Sequence, residues 1–268
     1  MGASYAKVRA CRDAGGRLTI VSDDPERLRS LSRRLGRTGC RHAPDNADCA
    51  ILLRMDAKTD ELRSAHDVLA EFYAERLAGD LERSPADRAV LGVFCELVRE
   101  AGAGGEVADV GCGTGRLEPF LAARGLNPCG VDLSPGMIRV ARRDNAGFDY
   151  QVADLRELPF GDASLAGVVC WYSLMYLAPA DRPAAFAELA RVVRPGGYLV
   201  TAFKAGDGTL RRGGLSMGSG IGFDIYWLSP AEMERLVSDA GFTPVFWAGR
   251  AAEKAEPQPQ GYLVARRQ

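Results

Sequence analysis

The sequence predicts an α/β protein built on a doubly wound parallel sheet, and three observations carry that prediction. Glu106-Val-Ala-Asp-Val110 is a mostly apolar run that breaks into glycines at 111, 113 and 115. Such a run reads as a strand buried on both faces, feeding a tight turn and then a helix. Further short apolar runs alternate with amphipathic stretches, at Pro128-Cys-Gly-Val131, Phe148-Asp-Tyr-Gln-Val152 and Ser164-Leu-Ala-Gly-Val-Val-Cys170. The 268 residues, 47% of them hydrophobic, suffice for one sizeable core and an appendage.

Glycines at 111, 113 and 115 remove side chains, so a ligand can lie against bare backbone N–H groups. The helix is expected to open at Thr114 and run to about 124. A dinucleotide fingerprint needs glycine where Arg116 stands, and a phosphate loop needs a Gly-Lys-Ser/Thr that is not there. The remaining pattern, an acidic residue followed by x-G-x-G-x-G, is met at every position by Asp109-Val-Gly-Cys-Gly-Thr-Gly115. It resembles motif I of the class I S-adenosylmethionine (SAM) methyltransferases. A glycine turn without a ligand is the plainer alternative.

The first 54 residues form a separate expectation, a small N-terminal α/β extension. Leu18-Thr-Ile-Val21 and Ala50-Ile-Leu-Leu53 are strand candidates, and Asp24-Pro25 caps a helix through about Leu35. Eleven Lys/Arg stand there against six Asp/Glu. That surplus suits either a solvated helix face or an anionic partner. The remainder, 55–268, is expected to be the catalytic domain.

Residues 59–101 hold two helices. Leu62, Ala65, Leu69 and Phe72 mark one buried stripe, and Val90, Phe94, Leu97 and Ala101 the other, after a Ser84-Pro85-Ala-Asp87 cap. His66-Asp-Val-Leu-Ala-Glu-Phe-Tyr73 resembles the family's Y-D-x-x-A-x-x-Y element, with His66 in place of the first aromatic. The resemblance implies a lid helix and puts Tyr73 near the methionine end of the cofactor.

After the glycine loop, Asp132 ends the second strand, 21 residues beyond Gly111, where an acidic side chain can accept both ribose hydroxyl hydrogens. Ala153-Asp154-Leu155, with Leu158-Pro-Phe-Gly161, resembles the family's A-D-x-x-x-L-P-F segment. Arg194-Pro-Gly-Gly197 resembles its turn before the fifth strand. Residues 204–227, rich in glycine, are expected to be a substrate-cap loop. Ser229-Pro-Ala-Glu232 spells a capping box for the last helix. Two closing strands, Thr243–Trp247 and Tyr262–Ala265, complete a seven-stranded, Rossmann-like sheet of the class I methyltransferase type.

The family resemblance, over about residues 59–268, implies SAM as cofactor. Asp109, Gly111, Cys112, Gly113 and Gly115 would hold its methionine moiety, Asp132 the ribose, and Met137, Asp154 and Leu155 the adenine, with Leu133 a further cofactor-binding residue. Tyr73, Trp171, Tyr172 and Tyr176 would wall the pocket. His66 is the better placed of two histidines for a general base, with Tyr172 and Tyr176 as further catalytic candidates. The expected reaction is methyl transfer to an O or N atom of a small-molecule acceptor. A nicotinamide oxidoreductase, or a SAM-binding protein docking nucleic acid through the basic N-terminal unit, are the competing classes. The net charge of −1 disfavours nucleic acid as a bulk partner. No 18-residue apolar run and no signal-peptide pattern occur, so a cytoplasmic protein is expected. Seven scattered cysteines without C-x-x-C suggest neither a metal site nor disulfides.

Overall fold

A computed structural model describes residues 8–12, 18–22, 57–102, 104–207, 209–213, 222–253, 256 and 258–268. The chain divides into two compact units, Met1–Met55 and Asp56–Gln268. In the first, β1 (Val8–Arg12) pairs antiparallel with β2 (Leu18–Ser22), placing Val8 opposite Ser22 and Arg12 opposite Leu18. The expected strand at Leu18–Val21 is β2. Its partner β1 escaped the sequence reading because Val8 is its single β-branched residue. The expected helix at 25–35 and strand at 50–53 lie outside the described residues.

The second unit opens with α1 (Ala57–Arg76), α2 (Asp80–Arg83) and α3 (Pro85–Glu100). Next come β3 (Glu106–Val110), α4 (Glu118–Ala122), β4 (Asn127–Asp132), α5 (Pro135–Asp144) and β5 (Asp149–Val152). Then follow β6 (Leu165–Trp171), α6 (Arg182–Val192), β7 (Val193–Lys204), β8 (Thr209–Gly213) and β9 (Gly222–Tyr226). The unit closes with α7 (Pro230–Asp239), β10 (Phe242–Arg250) and β11 (Gln260–Arg267). Seven strands form one sheet in the order β10-β11-β7-β6-β3-β4-β5. The pairs β3–β4, β4–β5, β3–β6 and β6–β7 are parallel, and β11 enters antiparallel between β7 and β10. The chain winds outward through β4 and β5, then returns to β6 on the other side of β3. This reversal opens a crevice beyond the carboxyl ends of β3 and β6, the place where such sheets bind ligands.

Helix starts follow local chemistry. Ser84 accepts a hydrogen bond from the Asp87 N–H, and Ser134 one from Met137, each with proline at the next position. Ser229 likewise caps α7 through the Glu232 N–H at 3.1 Å. The expected capping box is only half formed, because the Glu232 carboxylate is drawn to Arg182 instead of back to the cap. Arg182 is 1% exposed and also donates to the carbonyls of Tyr226 and Trp227. It thus ties α6 and α7 to the end of β9.

Three further expectations need correction. The helix after the glycine loop is one short turn, Glu118–Ala122, because residues 111–117 are spent on the loop. Arg194-Pro-Gly-Gly197 does follow the end of α6. It belongs, however, to a β7 of 12 residues that already starts at Val193, with a register shift against β6 between Leu165 and Gly167. The glycine-rich segment 204–227 contains an antiparallel hairpin, β8 with β9, in which Thr209 faces Tyr226.

The core lies on both sheet faces. Phe186, Leu189, Phe203, Met233 and Phe242 pack on one, and Leu91, Phe94, Trp171 and Tyr262 on the other. Two cross-strand pairs set a glycine against an aromatic ring. Gly130 lies opposite Tyr150, and Gly261 opposite Phe203. A Cβ at Gly130 would stand 2.6 Å from the Tyr150 ring, and one at Gly261 2.4 Å from the Phe203 ring.

Candidate active site

The site grows from the end of β3. Asp109 is 1% exposed, and neither carboxylate oxygen accepts a hydrogen bond. Burial pushes its pKa from 3.8 up to about 7; the Arg116 guanidinium opposes that rise and Asp132 adds to it. Beyond it, Gly111 (φ +81°) and Gly113 (φ +57°) adopt backbone conformations that disfavour any side chain. A Cβ at Gly111 would stand 2.3 Å from Ser173 Cβ, whereas one at Gly113 would meet nothing within 4 Å. The loop is therefore closed underneath and open above.

Asp132, at the end of β4, is organised by backbone. Its carboxylate accepts from Gly113 N and Ser134 N, both at 2.9 Å. A carboxylate offers about four lone-pair positions, so acceptor capacity remains. Burial raises its pKa, opposed by those N–H donors and by His66. Asp67 of α1, overlooked in the sequence, holds the next element. Its Oδ1 accepts from Ser134 Oγ at 2.6 Å and from Gly136 N at 2.8 Å. A Cβ at Gly136 would stand 2.7 Å from Asp67 Cα, so α1 and the start of α5 are in backbone contact. The expected lid helix is thus pinned beside the Asp132 loop.

Asp132, Leu133, Met137, Asp154 and Leu155 line one cavity of about 1110 Å³ together with Asp109, Gly111, Cys112 and Gly113. Tyr73, His66, Trp171, Tyr172 and Tyr176 line the same cavity. Gly115 does not. A Cβ there would stand 2.5 Å from Tyr150 Oη, so this glycine serves packing rather than contact with the cavity. Met137 also packs with Ala70, Val140 and Tyr73, joining the cavity wall to α1. Asp154 has a partner that the sequence did not suggest. Arg156 forks onto it, with Nε–Oδ1 at 2.9 Å and Nη2–Oδ2 at 2.7 Å, and reaches Thr59 Oγ1 of α1 at 3.0 Å.

His66 is half-buried among Tyr73, Tyr176 and Phe223, with ring centroids at 5.7, 4.8 and 5.0 Å. Its Nδ1 lies 2.9 Å from the Leu62 carbonyl, which fixes Nδ1 as the protonated nitrogen and leaves Nε2 as an acceptor. Burial lowers its pKa. Tyr73 and Tyr176 hydroxyls are 3.4 Å apart, and burial raises both pKa values, so each is a neutral phenol at neutral pH. Burial raises Tyr172 likewise. These tyrosines can orient or relay a proton but cannot act as standing bases. Among the described residues no cluster of His, Cys, Asp and Glu could hold a metal ion, and no helix is long and apolar enough to cross a membrane.

A mixed, mainly parallel sheet in this strand order thus carries one acidic residue under a glycine loop and a second at the next strand end. Residues 107–197 match the family model described as a methyltransferase domain. Over those residues the chain is similar to a methyltransferase domain, and its strand order is that of the class I SAM-dependent methyltransferase fold. Among its relatives is a malonyl-[acyl-carrier protein] O-methyltransferase of Serratia marcescens, 40% identical over 97 residues, which are 36% of this chain and 37% of that protein. Another is an O-methyltransferase of Penicillium expansum, 38% identical over 119 residues, 40% of this chain and 42% of the relative. This chain thus spans well under half the length of these two relatives. Among solved structures, the SAM-bound magnesium protoporphyrin IX methyltransferase of Synechocystis superposes with a TM-score of 0.59 at 18% identity. That match covers 80% of this chain and 99% of the other. An N1-methyltransferase for 1,6-didemethyltoxoflavin from Burkholderia thailandensis gives 0.54 at 21% identity, covering 86% and 93%. At those identities the likeness speaks for the fold.

Proposed function

We propose that this chain binds SAM across the ends of β3 and β4 and directs methyl transfer to an O or N atom of a small-molecule acceptor. The observation that carries the reading is Asp109, whose buried carboxylate accepts no hydrogen bond under an open glycine loop. An ammonium group is the complement of that carboxylate. When bound, the sulfonium supplies an already activated methyl group. The protein's part is to hold the donor, align the acceptor and exclude water.

In this reading Asp109 and the Gly111–Gly113 backbone take the methionine moiety, and the remaining lone pairs of Asp132 accept the ribose hydroxyls. Met137, Leu133 and Leu155 provide apolar contact to the base, and Asp154 accepts from its amino group while Arg156 holds the carboxylate in place. Tyr73, Trp171 and Tyr176 wall the transfer region, and His66 Nε2 is available to a nearby proton. The free thiols of Cys95, Cys112, Cys129 and Cys170 fit the reducing, cytoplasmic setting of this reading.

Calorimetry with S-adenosylhomocysteine and with NAD tests the reading. Tight binding of the former, weakened about 10-fold or more by Asp132→Ala, is expected, since two charge-assisted hydrogen bonds are lost. Binding of NAD instead would overturn the function and leave the fold untouched.

A further inference from the structure

A chain of groups on the far side of the cavity is not used by the donor. Asp87, in the first turn of α3, is 5% exposed. Tyr262 Oη donates to its Oδ1 at 2.9 Å, and Trp171 Nε1 donates to its Oδ2 at 3.4 Å. Tyr172 Oη lies 3.4 Å from Tyr262 Oη. Tyr172 and Asp87 line the cavity, and Tyr262 is buried behind them. Tyr172 sits at φ +59°, a conformation that is costly for a bulky residue, and its N–H is held by the Ala202 carbonyl at 2.9 Å. Strain of this kind persists where the surroundings over-determine it, commonly at functional sites. The chain of groups stands at the carboxyl ends of β6 and β7 and the amino end of β11, across the sheet's reversal point from Asp132 and Asp154. That is the half of the crevice left for an acceptor.

Five of the cations that line the cavity stand in ion pairs: Lys58 with Asp224, Arg63 with Asp60 and Asp67, Arg83 with Asp80, Arg156 with Asp154, and Arg250 with Glu253 and Glu256. Arg116, whose buried Nη1 has no hydrogen-bond partner, acts on Asp109 in the donor half. Carboxylates outnumber cations among the lining residues. An acidic acceptor is poorly matched to such a wall. An uncharged one that must lose a proton is well matched to the Tyr172–Tyr262–Asp87 line.

Resting on the methyl-transfer reading above, we infer that the acceptor is an uncharged hydroxyl compound of the phenol class, whose proton leaves through Tyr172 and Tyr262 to Asp87. The acceptor oxygen forms its new bond to the methyl carbon, and the carbon–sulfur electron pair stays on sulfur. The acceptor's proton passes to Tyr172 Oη as the Tyr172 proton moves to Tyr262 Oη and the Tyr262 proton to Asp87 Oδ1. Asp87 ends as a neutral carboxylic acid and returns its proton to solvent after release. Asp87 is in this sense a positioning residue, acting through two hydroxyls.

The test loads the full chain with S-adenosylhomocysteine and titrates phenol and benzoate by calorimetry. In parallel, transfer of a labelled methyl group to phenol and to 4-nitrophenol is followed in wild type, Asp87→Asn and Tyr172→Phe. The second phenol has already lost most of its proton in mildly alkaline buffer and so needs a proton acceptor far less. Phenol is expected to bind the loaded protein about 10-fold tighter than benzoate, and Tyr172→Phe to weaken it about 5-fold, the scale of one hydrogen bond. Asp87→Asn is expected to lower kcat for phenol by about 100-fold or more, with a loss for 4-nitrophenol about 10-fold smaller and KM little changed. If Asp87→Asn does not fold, Tyr172→Phe removes one oxygen and carries the same comparison. Benzoate bound as well as phenol, no phenol binding, or equal losses for both phenols would overturn the inference. Failure to bind S-adenosylhomocysteine at the outset overturns the methyl-transfer reading itself, which the phenol results cannot do.

Discussion

The buried carboxylate of Asp109 makes cofactor affinity depend on pH in a defined direction. In the free protein its pKa is raised from 3.8 to about 7, so it carries a proton over most of the acidic range. At 1.36 kcal/mol per decade, holding it ionised costs about 4 kcal/mol relative to water. An ammonium ligand needs the ionised form and must displace that proton below about pH 7. With a pKa of about 7, roughly nine-tenths of the groups are ionised at pH 8 and one-tenth at pH 6, so affinity falls about 10-fold between them. The sign for stability is the opposite. The folded pKa is above the unfolded one, so the contribution of Asp109 to apo stability is fully present below about pH 3.8 and is lost as pH rises through about 7. Cofactor stabilisation should therefore be largest where the apo protein is weakest. Isothermal titration of S-adenosylhomocysteine from pH 6 to 8, on wild type and Asp109→Asn, decides the matter. Asp109→Asn should bind about 10- to 100-fold more weakly at pH 8, as expected for losing a charge-assisted bond, and should show a flatter pH dependence. A wild-type affinity that does not change with pH, or a variant that keeps the full dependence, would refute the argument.

Three further outcomes follow from the same geometry. Arg182→Met strands the Glu232 carboxylate and two carbonyls at the end of β9, and should lower stability by about 2–3 kcal/mol, read as a shift in the denaturant midpoint. Gly111→Ala places a Cβ 2.3 Å from Ser173 at a positive φ, and should weaken S-adenosylhomocysteine binding about 10-fold or more while costing roughly 2 kcal/mol in stability. His66→Gln keeps a polar group against the Leu62 carbonyl and removes the Nε2 base; with the proton leaving through Tyr172 to Asp87, kcat is expected to stay within about 3-fold of wild type, and a loss of about 100-fold or more would give His66 the proton instead.

The sheet was legible because strands buried on both faces are near-continuous apolar runs, as in Val107–Val110 and Leu165–Cys170, and because glycine punctuates their ends. Four residues of the donor half, Asp109, Asp132, Met137 and Asp154, stand where such punctuation falls, and the cavity gathers all four. Other features have no local signal. Asp87 reads as part of a helix start, and its partner Tyr262 is 175 positions away. Asp67 looks like one more charge on a helix until Gly136, 69 residues later, closes on it. The hairpin of β8 and β9 hides in glycines that also suit a loop. Gly115 looks like its neighbours in the motif and differs only in what surrounds it, the ring of Tyr150.

One of the two glycine–aromatic pairs across the sheet also sets a rule for how this sequence can drift. Gly261 and Phe203 occupy one volume between them. That glycine cannot accept even a methyl group while the ring remains, and the ring cannot be trimmed without opening a void that the glycine cannot fill. The pair therefore changes only by a double exchange, in which the strand that gains bulk faces one that gives it up. Gly130 is held by two side chains, the Glu118 carboxylate 2.5 Å from a Cβ and the Tyr150 ring at 2.6 Å, so no exchange at 150 alone frees it. Between relatives of this chain, position 261 should vary with 203, and position 130 should stay glycine where 150 changes.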